Sequence, residues 1–523
     1  MATLVDSLNQ TVVDSLGNTV VDSQPDNSTS AGAGSSMSTP NVILTELDGA
    51  LGVLPPESGK PLVVFGPADA GPYDTPVAFG RESDVTATFG AGPAVEALCY
   101  WIANYQRPGV ICRTHATTNG TYGTIVAGAT GTSAVSLDSS THPNDDYEAE
   151  IVVANGGTVG TAGITVRWSL DGGRSGLADG DPVTSLGASN SFIFPSSGGV
   201  RVQFAAGTLV AGDTFSFRCN APTFNGSDLT TAMEGLRVSA YNWDVAYAAG
   251  IVDATTFAAI ESGFSTMRAV NKRRTWVGNT RIRNQTGETR AQYQTALQGI
   301  FGSLASVYGS LYAGDAKIYS GVTGRRYRRP AAFAAAAREA WLEVEQNAAM
   351  IDWGPLPGVQ LAELNNPDCH DEFLYPGLDD LRFATLRTWA SRSGAYVTDP
   401  RIFCSAGSDF QITPYRKVMN LFESTLIEYL EHRLQKPIRV DANTGYIFGP
   451  DASEIERGAY AQIDAVLGSG PKISGRGFRV SRTDNLLATR LMLCDVSVIP
   501  LAYPRQINLT TSFVNPARNL VAV

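Results

Sequence analysis

The sequence predicts a multidomain chain of mixed class, α/β in its core and α+β towards its end, and three observations carry that prediction. Helical and strand patterns alternate from 62 to 114 and again after 222, the order expected of a sheet covered by helices. Between those stretches the composition turns to Gly, Thr and Ser with short alternating runs, which reads as a small antiparallel β domain inserted into a host. Both ends of the chain read as strands that need a host. At 523 residues the chain exceeds one ordinary core. The expected layout is an N-terminal extension at 1–38, an α/β core at 39–114 plus 223–375, the inserted β domain at 115–222, an α+β domain at 376–505 and a strand arm at 506–523.

The first element is a repeat. Thr3, Thr11 and Thr19 each lead into Val-Asp-Ser, so the period is eight. Eight residues advance a helix by two turns plus about 80°, whereas eight is even in a strand, so only a strand keeps Val5, Val13 and Val21 on one face. Such short segments cannot fold alone and must stay loose or join a sheet edge. The stretch has no positive n-region and no uninterrupted apolar core, so it does not read as a secretion signal. A Ser/Gly/Ala-rich linker runs from Ser23 to Pro40. Strand candidates follow in PNVILTELDG (Pro40 to Gly49) and at Leu62 to Phe65, the latter stopped by Gly66-Pro67. Val95, Leu98, Trp101 and Ile102 share one helical face, and Gly109 to Thr114 is the next strand.

In the insertion, Ile164, Val166, Trp168 and Leu170 alternate with Thr165, Arg167 and Ser169, and Asp171 to Gly173 and Ser196 to Gly199 supply turns. Helix-strand alternation resumes with SDLTTAMEGL, capped by Ser227 or Asp228, and continues through AKIYS. Two strong helices come later: AAFAAAAREAWLEVEQ behind Pro330, and YRKVMNLFESTLIEYLEHRL, whose Val418, Leu421, Phe422, Leu426, Tyr429 and Leu430 form an apolar stripe. Near the end Ile507, Leu509, Thr511 and Phe513 alternate with polar residues, and ARNLVAV continues the apolar tail. A tail of that kind left in water is an aggregation hazard, so it is expected to be paired.

Composition excludes several function classes. A net charge of −11 and a pI near 5.0 argue against general nucleic-acid binding, and no stretch approaches the roughly 20 apolar residues of a membrane span. Four histidines are few for an enzyme of this length. None lies in HExxH, and neither GxSxG nor a phosphate-binding GxxxxGK[ST] occurs. Neither a catalytic group nor a cofactor is expected. DCHDEF (Asp368 to Phe373) is the best metal candidate by donor type, but adjacent residues rarely converge on one ion, so a solvated or capping role is favoured. Asp379-Asp380-Leu381 reads as a helix N-terminus. Cys99, Cys112, Cys219, Cys369, Cys404 and Cys494 show no CxxC spacing. They read as buried thiols, with disulfides between subunits as the sharper alternative. Two basic runs stand out in an acidic chain: Lys272, Arg273 and Arg274, then Arg325, Arg326, Arg328 and Arg329. A solvated face is one reading, and contact with an acidic neighbouring surface the other.

PNVILTELDG, LVVFGPADAGPYDTPVAFGRESDVTATFG, the helix after it and GVICRT together resemble the amino-terminal region of contractile tail sheath proteins of myophages. SGAYVTDPRIF, GSDFQITPYRKVMNLFESTLIEYLEHRL and the closing VIPLAYPRQINLTTSFVNP resemble the carboxy-terminal portion of that family. Asn41 stands where the family usually has Gly, and the N-terminal repeat departs from its pattern.

The resemblance implies a structural virion protein that polymerises into stacked rings, usually hexameric, around a tail tube and contracts to drive the tube through a host envelope. Partners would be further copies of itself, the tube protein, and baseplate and tail terminator proteins, without nucleic acid or membrane insertion. The setting would be the virion tail, with assembly in the host cytoplasm. It implies a tube-facing C-terminal domain, an outward-facing insertion, and terminal strands exchanged between neighbours. Here those strands would use Val42, Ile43 and Leu44 at one end and Ile507, Leu509, Phe513, Val514, Leu520 and Val521 at the other. The two basic runs become candidate tube or neighbour contacts. A competing reading is a β-rich adhesion or carbohydrate-binding tail protein, with Trp168 as a stacking platform in the insertion; its alternation with apolar residues favours a core position instead.

Overall fold

The computed structural model describes residues 60–284, 287–361, 369–468 and 472–513. Its centre is a six-stranded sheet. Strand β1 (Leu62–Gly66), β2 (Pro76–Phe79), helix α1 (Glu82–Phe89), α2 (Pro93–Tyr105) and β3 (Gly109–Arg113) precede the insertion. In the insertion the main strands are β4 (Tyr147–Asn155), β5 (Thr165–Ser169) and β6 (Thr214–Asn220). After it come α3 (Gly226–Val238), β7 (Val245–Ile251), α4 (Ala254–Ala269), β8 (Thr275–Asn279), α5 (Arg290–Phe301) and β9 (Gly309–Tyr312). The sheet order is β9-β8-β7-β1-β3-β2, parallel throughout except for antiparallel β2.

The alternation of side chains in β1 explains the layers. Leu62 and Val64 face a core with Ile111, Val245 and Tyr247 under α2, whereas Val63 and Phe65 face another with Val110, Ala246 and Ala248 under α3 and α4. A sheet covered on both sides needs continuous apolar strands, and every residue of β1 is buried. Next come a hairpin of β10 (Asp315–Tyr319) and β11 (Arg326–Pro330), then α6 (Ala331–Trp341), whose run of alanines packs closely over the first core.

The insertion's own core has Ile151, Val153, Ile164, Val166, Phe215 and Phe217 at its centre. Its larger sheet runs Thr184–Ser185, β5, β4, β6, Thr121–Tyr122, with a smaller sheet of Ser191–Ile193, Arg201–Phe204 and Val135–Leu137. Tyr327 of β11 joins this core, so the α/β body reaches into the insertion.

Several expectations are corrected. Helix α3 starts at Gly226 with Asn225 as its N-cap, which accepts from the backbone N–H groups of Ser227 and Asp228; of the two residues read as caps, Asp228 takes part by accepting from the Asn225 backbone N–H in a reciprocal box. Asp379 stands in a turn and not at a helix start. Strand β2 and helices α1 and α8 (Gly449–Leu467) were not anticipated. The boundary at 376 also moves: Leu378, Phe383 and Phe403 lie in the second core with Phe257 and Phe301, and Ala384 exchanges backbone hydrogen bonds with Leu311 and Ala313 beside β9. A new core begins only with α7 (Thr413–Glu431). There α7, α8 and a hairpin of β12 (Ile473–Val480) and β13 (Cys494–Pro500) enclose Phe422, Leu426, Ile455, Ile463, Phe478 and Val480.

Candidate functional site

The C-terminal unit leaves a sheet unfinished. Strands β12 and β13 pair only with each other among the described residues, in a register that sets Phe478 opposite Val496 and Arg476 opposite Val498. Residues directly opposite share a face, so Val496 points to the same side as buried Phe478. It is nevertheless 46% exposed. The outer edge of β13 borders a groove whose far wall is the α7 stripe, Met419, Phe422, Leu426, Ile427 and Leu430, with Arg273 and Glu423 in its lining. Of the stripe read from sequence, Val418, Phe422 and Leu426 are buried and Leu421, Tyr429 and Leu430 partly so, because one side of the helix meets α8 and the other meets this groove.

Beyond Pro500 the chain is anchored and then let go. The Tyr503 hydroxyl donates to the Glu345 carbonyl, and its ring lies 5.8 Å from that of Tyr415. The Arg505 guanidinium bonds Asp379 and lies 3.3 Å from an Asp399 carboxylate oxygen. Burial pushes both carboxyls above their usual range, against the pull of Arg401 and Arg505. After Arg505 the expected arm residues Ile507, Leu509 and Phe513 are 74%, 86% and 107% exposed, and residues 506–513 form no strand within this chain. Val42, Ile43, Leu44, Val514, Leu520 and Val521 lie outside the described residues.

The basic runs divide into internal and surface groups. Arg328 is buried against Asp315, and Arg329 is buried between Glu96 and Asp145. These two cannot reach a neighbour; their role as candidate contacts is withdrawn. A buried guanidinium requires a carboxylate partner, and each has one inside the chain. Lys272 donates to the carbonyls of Arg237 and Ser239 at 2.6 Å each. Arg273 lies 2.7 Å from Glu423, Arg274 bonds Asn242 and stacks over Trp243, Arg325 lies 4.5 Å over the Trp168 ring, and Arg326 bonds Gln360.

Cys99, Cys112, Cys219, Cys369 and Cys404 are buried, and Cys494 on β13 is half-buried. Burial pushes the thiols of Cys99 and Cys112 up to about 12. Of the six thiols that the sequence offered as buried groups or partners in disulfides between subunits, five are buried within the chain. Trp168 is half-buried: it packs on Phe192 and Phe194, Arg325 lies over its ring, and it lines a pocket with Tyr147, Leu170 and Tyr327. Within DCHDEF, His370 Nε2 lies 2.7 Å from Glu372, whose other oxygen accepts from the backbone of Gly377 and Asp379. Asp371 accepts from Phe373 and Thr388. These side chains cap turns from buried, not solvated, positions. No group of three or more His, Cys, Asp or Glu that could hold a metal occurs among the described residues, and no described helix is long and apolar enough to cross a membrane.

Two features escaped the sequence reading. The Tyr503/Arg505 anchor had a faint signal, one of two arginines, with Arg518, in a closing stretch without acidic residues. The approach of Arg268 and Arg273 to Glu423 had none, since about 150 residues separate them from it; Arg416, the third guanidinium, stands on the same helix as Glu423.

Fold and site together comprise an α/β body, a β insertion, and a C-terminal unit whose hairpin edge is unpaired among the described residues beside an exposed apolar segment. The chain belongs to the family described as DUF2586, N-terminal domain, whose model matches residues 39–401. No curated protein matches it. Among solved structures it is similar to the helical sheath of the anti-feeding prophage in its contracted state, at 11% identity over 91% of this chain and 99% of that one, TM-score 0.46. A sheath tail protein from Listeria innocua is 13% identical over 86% and 97%, TM-score 0.41. The contracted sheath of an extracellular contractile injection system is 9% identical over 92% and 98%, TM-score 0.46.

Proposed function

We propose that this chain is the subunit of a contractile tail sheath: a structural virion protein that polymerises as a helical array of stacked, hexameric rings around a tail tube. The observation that carries the reading is a donor and an acceptor in one molecule. Ile507, Leu509 and Phe513 alternate on an exposed segment without a strand partner among the described residues, where the β12–β13 hairpin likewise has an unpaired edge. Strand addition satisfies backbone groups along that edge while alternate side chains enter pockets beside it. A subunit that gives to one neighbour and receives from another makes a heterologous contact, which propagates as an open helix. The sequence resemblance at both ends of the chain supports the same conclusion.

In this reading the C-terminal unit faces the tube, the insertion faces outward, and Tyr503 and Arg505 fix the point where each exchanged arm leaves its own subunit. Contraction is a rigid rotation of subunits into tighter packing, with the arms as hinges. Roughly 300 Å² of added burial per subunit supplies about 7 kcal/mol, multiplied along the array, without a nucleotide. Baseplate and terminator proteins would hold the two ends of the sheath.

Negative-stain microscopy of the purified chain tests the reading: long hollow cylinders are expected. Deleting 506–523 should leave folded, monomeric protein. Cylinders of normal length from that deletion would refute strand exchange.

A further inference from the structure

The seam between the insertion and the α/β body encloses a cavity of about 440 Å³. Thr86 of α1 with Val95 and Glu96 of α2 line it from the body, and Tyr147 of β4, Trp168 of β5 and Leu170 line it from the insertion. Two turns make the rim: Pro195-Ser196 of the insertion, and the stretch from Val322 to Arg325 between β10 and β11. A hollow of this size at the junction of two domains suits a small ligand and is too small for a helix.

Arg325 brings a cation without a counterion to this rim. Its guanidinium lies 4.5 Å over the Trp168 ring and forms no ion pair or hydrogen bond among the described residues. Nη1 is sealed from solvent without a partner, which leaves the Nε–Nη2 edge as the usable fork. Stacking on the indole fixes the plane of that fork. A planar fork of N–H groups meets a carboxylate with two parallel bonds.

Glu96 makes the opposite demand, for donors. Its Oε1 accepts from the Ser320 hydroxyl at 3.0 Å and its Oε2 from Arg329 Nη2 at 2.9 Å, and each carboxylate oxygen has room for a second donor. Hydroxyl groups of a ligand supply such donors. Val95, Leu170 and Tyr327 complete the lining with apolar surface, which suits C–H groups. A pyranose ring bearing a carboxyl group joins all three features in one rigid body: a neutral sugar lacks the carboxylate, and a fatty acid or an amino acid lacks the ring hydroxyls.

We propose that the seam is a binding site for a single uronic acid residue, with its carboxylate on Arg325, its hydroxyls on Glu96 and its ring C–H groups against the Val95, Leu170 and Tyr327 wall. The site is independent of the assembly reading, since it lies within one chain.

Saturation-transfer NMR of the full-length chain with galacturonate tests it. Saturable binding is expected, about tenfold or more tighter than that of galactose, because the neutral sugar leaves the guanidinium unpaired. Arg325→Gln should bring galacturonate down to the galactose level. Val322→Trp, a substitution at a residue 44% exposed on the rim, should block both sugars, and an unchanged melting midpoint shows that each variant folds. Trigalacturonate binding as tightly as galacturonate supports a glycan end seated in the cavity, whereas its exclusion supports the free sugar. No binding of galacturonate, equal binding of galactose, or affinity unchanged by both substitutions overturns the proposal. Displacement of galacturonate by an equal concentration of acetate or glutamate overturns it as well, since the site would then read a carboxylate and not a sugar.

Discussion

Arg329 Nη2 lies 2.8 Å from the Asp145 carboxylate, and the same nitrogen lies 2.9 Å from Glu96. Its Nη1 donates to the Asp146 carbonyl at 2.6 Å. One buried side chain on β11 therefore ties α2 of the α/β body to the loop that leads into β4 of the insertion. Arg329→Met leaves two buried carboxylates without their cation and should destabilise the protein by about 3–5 kcal/mol. Arg329→Lys keeps the charge but loses the fork and should fall between. The midpoint of urea unfolding reads both; a loss under about 1 kcal/mol for Arg329→Met would put such a bridge in the range of surface pairs.

The insertion should be acid-sensitive through Asp213. Burial pushes this carboxyl up, but the backbone N–H groups of Thr130, Val210 and Gly131 and the Thr130 hydroxyl outweigh it, leaving the pKa below the usual value. A depressed carboxyl contributes stability above the unfolded value, about 3.9, and loses it as pH falls through the folded value. Melting midpoints should be flat from neutral pH down to about 5 and fall below about 4. Asp213→Asn should lower the midpoint at pH 7 and flatten the acid limb; an unchanged acid limb would remove Asp213 from the account.

Lys417 should hold the C-terminal unit on the body. Its buried Nζ donates to the carbonyls of Leu342, Glu339 and Glu343 at 2.9, 3.0 and 3.4 Å, around the end of α6. Lys417→Met fills the space but leaves those acceptors without their donor, a loss of about 1–3 kcal/mol. Limited proteolysis should then cut within 404–412 faster than in the unmodified chain, and equal rates would count against the clamp.

Thiol accessibility follows from burial. In the native chain a thiol reagent should titrate one cysteine, Cys494, and six in denaturant. Cys494→Ser should abolish the fast phase. A second fast-reacting thiol would contradict the packing of Cys99, Cys112, Cys219, Cys369 or Cys404.

Much of the body was legible from local pattern. The runs LVVFG, GVICR and TWVGN are short, apolar and bounded by turn residues, and a strand buried on both faces has few other ways to look. Asp253 and Thr289 cap α4 and α5 as reciprocal boxes, a signal confined to four residues. Helix α8 was missed because its buried row includes Ala452 and Ala459 with Ile455 and Ile463, and alanine contributes little to an apolar stripe. Helix α1 is eight residues long and carries Val85, Thr86 and Thr88, whose branched side chains favour a strand as readily.

The sequence by itself marked the buried strands β1, β3 and β8, the apolar stripe of α7 and the strand-like alternation from Ile507 to Phe513. Only the tertiary structure decided that Arg328 and Arg329 are internal while Arg273 lines a groove, and that Phe403 closes the second core instead of opening a new domain. The physical reason is range. Periodicity and capping act over a few residues of backbone, whereas the partner of a buried charge or aromatic ring is chosen by packing between segments that the chain brings together, as Arg329 meets Glu96 and Asp145.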